Sequence, residues 1–480
     1  MKANLSILQI NDIHGYMQPH PEMVRDAGEW HFTRLGGLAR IASMFDQVRR
    51  EMPGAVIALD NGDTFHGTRA AVETKGFALV PAMSALKLDA MTVHWEFAYG
   101  PEGVEKLAAA LPYPMLATNI HRTADDSLFL PPYTMIERAG LRIAIIGLAC
   151  PIVDKTMPPK FSAGLRFGIG NDTLPMWIER VRNEEGAKLV IVLSHLGFPQ
   201  DVRLARETDG IDVLVSGHTH NRMREAIVEN GAIIFQSGCH GSFVGRLDLC
   251  IEDGRVASHR HRLMPVDETL PEDATVAGLV DQALQPFRAG MQTIVGRTAT
   301  ALHRYAMLST PMDDLLLEAI ARAAGTDIAF SNGWRYGAPI PPGPVTLDDL
   351  WNIIPANPPV LTVRMTGAEI RDMLEQNLER TFAADPYEQM GGYIKRMRGI
   401  TMYFKAENPA HRRIDRLFAN GSPLDDAAEH VVAYVTSQGV PARYGTDRRT
   451  LPIDAVTAMK RLFESVAAVA LSGKQTVFEI

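Results

Sequence analysis

Eight short apolar runs in the first half of the chain constrain its fold more than any other feature. They are LSILQI (5–10), AVIALD (55–60), AMTV (90–93), PMLATNI (114–120), RIAIIGL (142–148), LVIVLS (189–194), IDVLVSG (211–217) and AIIFQSG (232–238). Their apolar residues follow one another instead of alternating with polar ones, as in strands covered on both faces. Helical patterns fill the gaps at 37–51, 76–87, 101–110 and 173–185. Strands alternating with helices predict a layered α/β domain.

At 480 residues the chain is longer than one core usually serves, so two domains are expected. Charged and small residues dominate from about 251 to 275, and PEDATVAGLVDQALQPF (271–287) reads as a helix with Pro near its start. A second α/β pattern follows. A helix over 312–325 leads into a strand at 327–332, and a strand–helix unit spans 360–380. Strands at 400–404 and 431–436 and a helix over 454–470 complete it. The expected division is a first domain over 1–265, a connecting helix over 266–295 and a smaller second domain over 296–480.

The chemistry-bearing residues sit just past the strands of the first domain. NDIHG carries Asp12 and His14, and NGDTFHG carries Asp63. His94 follows the run at 90–93, His195 follows 189–194, and His218 and His220 follow 211–217. Ligands of α/β sheets bind at the carboxyl ends of strands, so residues two hundred positions apart can converge there. Any one of the 15 histidines is more often a surface or core residue than a ligand. Seven Asp and His side chains at five strand ends, none inside a helix pattern, point to a metal site. Carboxylate with imidazole is the donor mixture for Mn, Zn or Fe. Seven donors exceed one tetrahedral ion and suit two ions sharing a bridging carboxylate.

Composition excludes other classes. The formal net charge of -8 leaves no basic excess for a nucleic-acid polymer. No apolar run reaches the length of a membrane span. Cys150, Cys239 and Cys250 show no CxxC spacing and are expected as reduced thiols. The N-terminal MKANLSILQI leaves no room for a signal peptide, so a cytoplasmic location is expected. His66 is expected as a solvated loop residue. His240 in GCHGSF is either an outer support of the site or a turn residue, and SHRHR (258–262) is expected as an exposed strand face.

The blocks ILQINDIHG, RLGGLARIA, LDNGDTFHGT, IVLSHLG and VLVSGHTH resemble, in order and spacing, the 5′-nucleotidase family of calcineurin-like metallophosphoesterases. In the second half FSNGWRYG, MTGAEIRDMLE and DPYEQMGGY resemble that family's C-terminal domain. The resemblance implies an N-terminal α/β/β/α metallophosphoesterase domain and a smaller C-terminal α/β domain. It implies that Asp12 and His14 bind a first metal, that Asp63 bridges two, that His195 and His218 bind the second, and that His220 closes the first site. Arg335 would face the substrate anion, and Asn332 would bind substrate. Tyr393 stands where the family often places an aromatic that stacks on a nucleobase.

The stretch MTVHWEFAYG (91–100) departs from that pattern. The family has Gly-Asn-His-Glu-Phe-Asp there, with the Asn on a metal and the His–Asp pair acting in catalysis. Anchored on Glu96 and Phe97, this chain has His94 at the Asn, Trp95 at the His and Ala98 at the Asp. His94 is then a metal ligand, or, after a small shift, the catalytic imidazole. Trp95 is core packing or a substrate wall. The same HWEF, with NGWRYG and DPYEQMGGY, resembles the thiosulfohydrolase subgroup of sulfur oxidation. The family's second stacking aromatic is represented only by SQGVPARYG (437–445).

The expected protein is therefore a dinuclear metal-dependent hydrolase of phosphate esters, 5′-nucleotidase-like. It would use a metal-bound hydroxide, two divalent ions (Mn or Zn) and a small anionic substrate such as a phosphate ester or nucleotide. A sulfur-directed hydrolase, or a metal-retaining binding protein without turnover, are the alternatives.

Overall fold

Along the strand Leu141–Leu148, successive side chains enter two different cores. Ile143 and Ile145 join one apolar cluster, while Ala144, Ile146 and Leu148 join another. The strand Leu189–Ser194 divides in the same way, with Leu189, Ile191 and Leu193 on one side and Val190 and Val192 on the other. This is why the runs are apolar at every position. The structure, a computed structural model, describes residues 2–26, 28–471 and 475–480. It divides into two compact units, Met1–Pro286 and Phe287–Ile480.

Two sheets form the middle of the first unit. One has the order Arg255–Pro265, Phe243–Glu252, Lys2–Ile10, Val56–Asp60, Ala90–Met91. The other has the order Ile227–Glu229, Ala232–Phe235, Val213–Val215, Leu189–Ser194, Leu141–Leu148, Tyr133–Arg138. The cluster between them takes Leu5, Ile7, Ile57 and Leu59 from the first sheet, and Ile145, Ile191, Leu193 and Val215 from the second. The helices Leu174–Asn183 and Phe198–Glu207 cover the outside of the second sheet through Ile178, Val181 and Leu204. Leu38–Glu51 packs beside Val56–Asp60 on the first. The layers are thus α/β/β/α.

Lys2–Ile10, Val56–Asp60 and Ala90–Met91 run parallel, as do Leu141–Leu148, Leu189–Ser194 and Val213–Val215. Within each sheet the carboxyl ends of these strands therefore share one edge.

Several elements differ from expectation. PMLATNI at 114–120 is not a strand. Met115 makes an isolated bridge to Met91, and pairing begins only at Ile120–Arg122. The helix expected over 76–87 is Val80–Ala85, and that over 454–470 ends at Glu464. Charged text conceals the strand Arg255–Pro265, whose Ser258, His259 and Arg260 are exposed as expected of SHRHR. The hairpin His20–Asp26 with Glu29–Leu35 carries no apolar run to announce it. The helix Ala274–Leu284 is capped by the Asp273 carboxylate, which accepts the Val276 N–H, and it packs within the first unit. Cys150, Cys239 and Cys250 are all free thiols. No helix among the described residues is long and apolar enough to cross a membrane.

In the second unit a five-stranded sheet has the order Tyr393–Arg398, Ile328–Gly333, Glu429–Tyr434, Pro359–Thr366, Thr446–Asp454. Ile328–Gly333 pairs parallel with Glu429–Tyr434, and its other neighbour is antiparallel. The helix Gly367–Phe382 opens with a capping box between Thr366 and Glu369 and buries Ile370, Met373, Leu374 and Leu378 in that unit's core.

Ile191 has no solvent exposure and lies between the two sheets. Ile191→Ala is expected to destabilise the first unit by about 2–5 kcal/mol, read as a lower urea midpoint in chemical denaturation.

Candidate metal centre

The carboxyl-end loops of both sheets bring all seven expected donors together. Asp12, His14, Asp63 and His220 form one group, and Asp63, His94, His195 and His218 form a second. Asp63 belongs to both. In the first group His220 Nε2 lies 3.1 Å from Asp12 Oδ1 and 3.3 Å from His14 Nε2. His14 Nε2 is 3.7 Å from Asp63 Oδ2. In the second, His94 Nδ1 is 3.0 Å from Asp63 Oδ1, and His195 Nε2 is 3.2 Å from Asp63 Oδ2. Donors sharing one ion at about 2.1 Å stand roughly 3–3.4 Å apart. Two nitrogens facing each other, as in His14 and His220, suit a shared cation better than a hydrogen bond.

The loops hold the donors in unusual backbone. Asp12, His14, Asp63, His218 and His220 all have positive φ, between 49° and 72°. Non-glycine residues rarely occupy this region, and such strain persists where surrounding structure over-determines it. The surroundings here do. The Asp12 and His14 amides donate to Gly62 O and Asp63 O, tying the first two loops together. Gly67, at φ 137°, lies so close to His14 that a Cβ there would meet His14 O at 2.4 Å. Asn61 donates to Ser194 O and Val215 O across the sheets, and its side-chain oxygen accepts from Gln9. The Asn61 carbonyl meets His195 Nδ1, and the His66 carbonyl lies 3.2 Å from His14 Nδ1. These contacts leave Nε2 of each imidazole toward the donor group.

Burial and charge act in opposition. Burial pushes the Asp63 carboxyl up, but the His94 and His195 imidazoles outweigh it and hold the group well below the usual carboxylate range. Asp12 is likewise raised by burial and lowered further by His220 and His195, for a net fall. Burial pushes His14 down to about 3, against the pull of Asp63. Burial works against charge on His94 and His195, but Asp63 outweighs it and pulls both up, His195 to about 9, so a divalent cation would have to displace their protons to bind there.

The loop that carries Trp95 is built into this arrangement. Glu96 is fully buried and accepts the His94 and Thr64 amides through its two oxygens. The Trp95 amide donates to Asp63 Oδ1 at 2.7 Å, so the residue contributes its backbone to the shared carboxylate. The indole stacks on the His66 ring, with centroids 4.7 Å apart and planes 18° from parallel. His66 is 2 % exposed. The expectation of a solvated His66 is therefore wrong, because the indole and the His14 loop enclose it.

In the second unit, Asn332 lies in the strand Ile328–Gly333, Arg335 follows that strand, and Tyr393 begins its neighbour Tyr393–Arg398. Arg335 donates to Gly392 O, and its guanidinium lies 5.0 Å from the Tyr393 ring centre. Arg396 lies 5.3 Å from the same ring. Trp334 Nε1 donates to the Gln438 side chain.

A 5′-nucleotidase C-terminal domain matches residues 293–437. The trifunctional nucleotide phosphoesterase YfkN of Bacillus subtilis is 25% identical over 86% of the chain, which spans 30% of that longer protein. A probable 5′-nucleotidase of Treponema pallidum is 24% identical over 78% of the chain and 75% of its own length. The sulfate thiohydrolase SoxB of Thermus thermophilus superposes with a TM-score of 0.91 at 25% identity, covering 99% of this chain and 96% of that one. Over most of its length the chain resembles the 5′-nucleotidase family of calcineurin-like metallophosphoesterases. A Thermus thermophilus 5′-nucleotidase precursor (TM-score 0.87, 22% identity, 99% of both chains) shares the fold. These relatives make the chain a hydrolase of the metallophosphatase class, and its clustered donors fit the divalent metals such enzymes use.

Asn61, Gln9 and the His20–Glu22 pair escaped the sequence reading. Asn61 adjoins a glycine and reads as a turn residue, and buried polar partners leave no periodic trace.

Burial pushes His20 and His66 down to about 4, below the roughly 6.5 of an unfolded imidazole. Each is neutral in the fold and protonates more readily once unfolded. The stability they contribute is complete above about pH 6.5 and is lost as pH falls toward about 4. The urea midpoint of metal-free protein is expected to fall across that window, and less steeply in His66→Phe.

Proposed function

We propose that the chain is a dinuclear, metal-dependent hydrolase of small anionic esters. The observation that carries this reading is Asp63, whose carboxylate belongs to both donor groups. Asp12, His14, Asp63 and His220 would hold one ion, and Asp63, His94, His195 and His218 the other. His94 acts as a ligand in this reading, which its Nδ1, 3.0 Å from Asp63 Oδ1, supports. Mn or Zn suits the mixed carboxylate and imidazole donors. Two such ions supply an activated water and positive charge against the developing oxyanion. The protein keeps the Asp12 and Asp63 carboxylates ionised, keeps Asp63 oriented through the Trp95 amide, and surrounds the donors with buried side chains. Asn332, Arg335 and Tyr393 are proposed as substrate contacts of the second unit, with the Arg335 guanidinium receiving an anionic oxygen.

Phosphate esters are the first substrate class, in line with the nucleotide phosphoesterases among the relatives. Two observations favour a second class, a sulfur-linked sulfate. Trp95 and Ala98 supply neither acid nor base, so a weakly basic leaving group that needs no proton, such as a thiolate, is favoured over a strongly basic alkoxide. Tyr393 already has Arg335 and Arg396 over its ring, which competes with base stacking. The SoxB likeness agrees with this second class.

A panel of nucleoside monophosphates, aryl phosphates and thiosulfonate conjugates, assayed with Mn or Zn, separates the classes. Hydrolysis of none of them under any metal would sink the hydrolase reading. Asp63→Asn is expected to lower metal content and to reduce turnover by more than about 100-fold, measured beside wild type at saturating metal. Trp95→His/Ala98→Asp is expected to raise phosphomonoesterase activity by about 10²–10⁴-fold. An unchanged rate would show that proton transfer from this loop does not limit the reaction.

A further inference from the structure

Glu22 is a carboxylate with no solvent exposure that takes no part in the donor groups around Asp63. It sits on the hairpin His20–Asp26 with Glu29–Leu35, a two-stranded sheet separate from both layers. Its Oε1 lies 2.8 Å from Arg222 Nη2 and accepts the Met23 N–H, and its Oε2 accepts the Ser242 hydroxyl at 2.8 Å. Arg222 Nη1 donates to Met23 O at 2.7 Å, and the guanidinium lies 5.0 Å from the Phe243 ring centre. Both ends of the guanidinium are thus fastened to the hairpin.

Arg222 is two residues from His220. The segment 218–223 leaves the strand Val213–Val215 through two left-handed residues, His218 at φ 72° and His220 at φ 58°. Such conformations cost about 1–3 kcal/mol each and relax unless held. Gln236 holds the segment from the sheet side, donating to Gly217 O and accepting the Asn221 N–H. On the other side the Arg222–Glu22 pair ties it to the hairpin. His240 extends the same support, since its N–H donates to Asp12 O at 2.7 Å and its ring lies 6.1 Å from that of His220.

We propose that Glu22 is a positioning residue for the first donor group. Through Arg222 it fixes the segment 218–223, and thereby where His220 meets Asp12 and His14. This inference rests on the dinuclear reading above. His20, Glu22 and His240 also have donor atoms within 4.8 Å of one another, a composition that would suit a third ion. The Glu22 oxygens, however, already serve Arg222, the Met23 amide and Ser242, and the cation beside them is the guanidinium.

The test is Mn²⁺ titration of the metal-free full chain, with thermal unfolding and steady-state kinetics alongside. Wild type is expected to take two equivalents. Glu22→Gln should keep one at wild-type affinity and bind the other about 10–100-fold more weakly, with kcat recovering at high Mn²⁺. Arg222→Met, changed at the more exposed end of the pair, should do the same if Glu22→Gln folds poorly. Glu22→Gln/Arg222→Met removes the unpaired buried charge, so its thermal midpoint should recover while the weakened affinity does not. Recovery of both would mean a merely structural role and overturn the proposal. So would two undiminished equivalents in Glu22→Gln, or a third equivalent in wild type that Glu22→Gln loses. Fewer than two equivalents in wild type would overturn the dinuclear reading itself, and this inference with it.

Discussion

The Asp63 carboxylate is the point on which the rest of the first unit depends. It lies within 3.2 Å of His94 and His195 and accepts the Trp95 amide. Burial alone would protonate it, and the imidazoles around it keep it ionised. A charge enclosed in this way is costly unless it is matched by opposite charge or by donors on every side. The two-sheet core, the short loops and the strained ligand backbone all maintain that match.

The strain has a direct geometric origin. A strand delivers its side chains alternately to two faces, whereas a donor group needs side chains from several strand ends directed to one point. Left-handed residues at Asp12, His14, Asp63, His218 and His220 turn the chain sharply enough to do this. They are held by contacts that cross between layers, such as Asn61 to Ser194 O and Val215 O. The hairpin carrying Glu22 belongs to neither sheet and adds a tether from the opposite side.

The Trp95 loop is held by its backbone. Glu96 still receives the His94 and Thr64 amides, so the loop keeps its path although the residue beside it is an indole. The indole turns onto His66 and leaves Asp63 a backbone N–H. In the second unit, the aromatic and cationic groups of NGWRYG and GGY contact one another, with Arg335 over Tyr393 and Trp334 bonded to Gln438.

The apolar runs and the Asp and His residues past them were legible in the sequence because each is a local pattern. A buried strand must be apolar at successive positions, and a metal donor must be one of few residue types. That much determined the α/β layering and the seven candidate donors. The pairing of donors was legible only through the family resemblance and not from the residues themselves. That His220 meets His14 across 206 positions, and that Asp63 serves both groups, follows physically from how two sheets pack and where their strands end. His66 misled, and the hairpin strand HPEMVRD (20–26) went unread, for the same reason. A polar residue is buried only when distant partners satisfy it, and those partners, Trp95 for His66 and Arg222 with Ser242 for Glu22, are brought to it by tertiary structure alone.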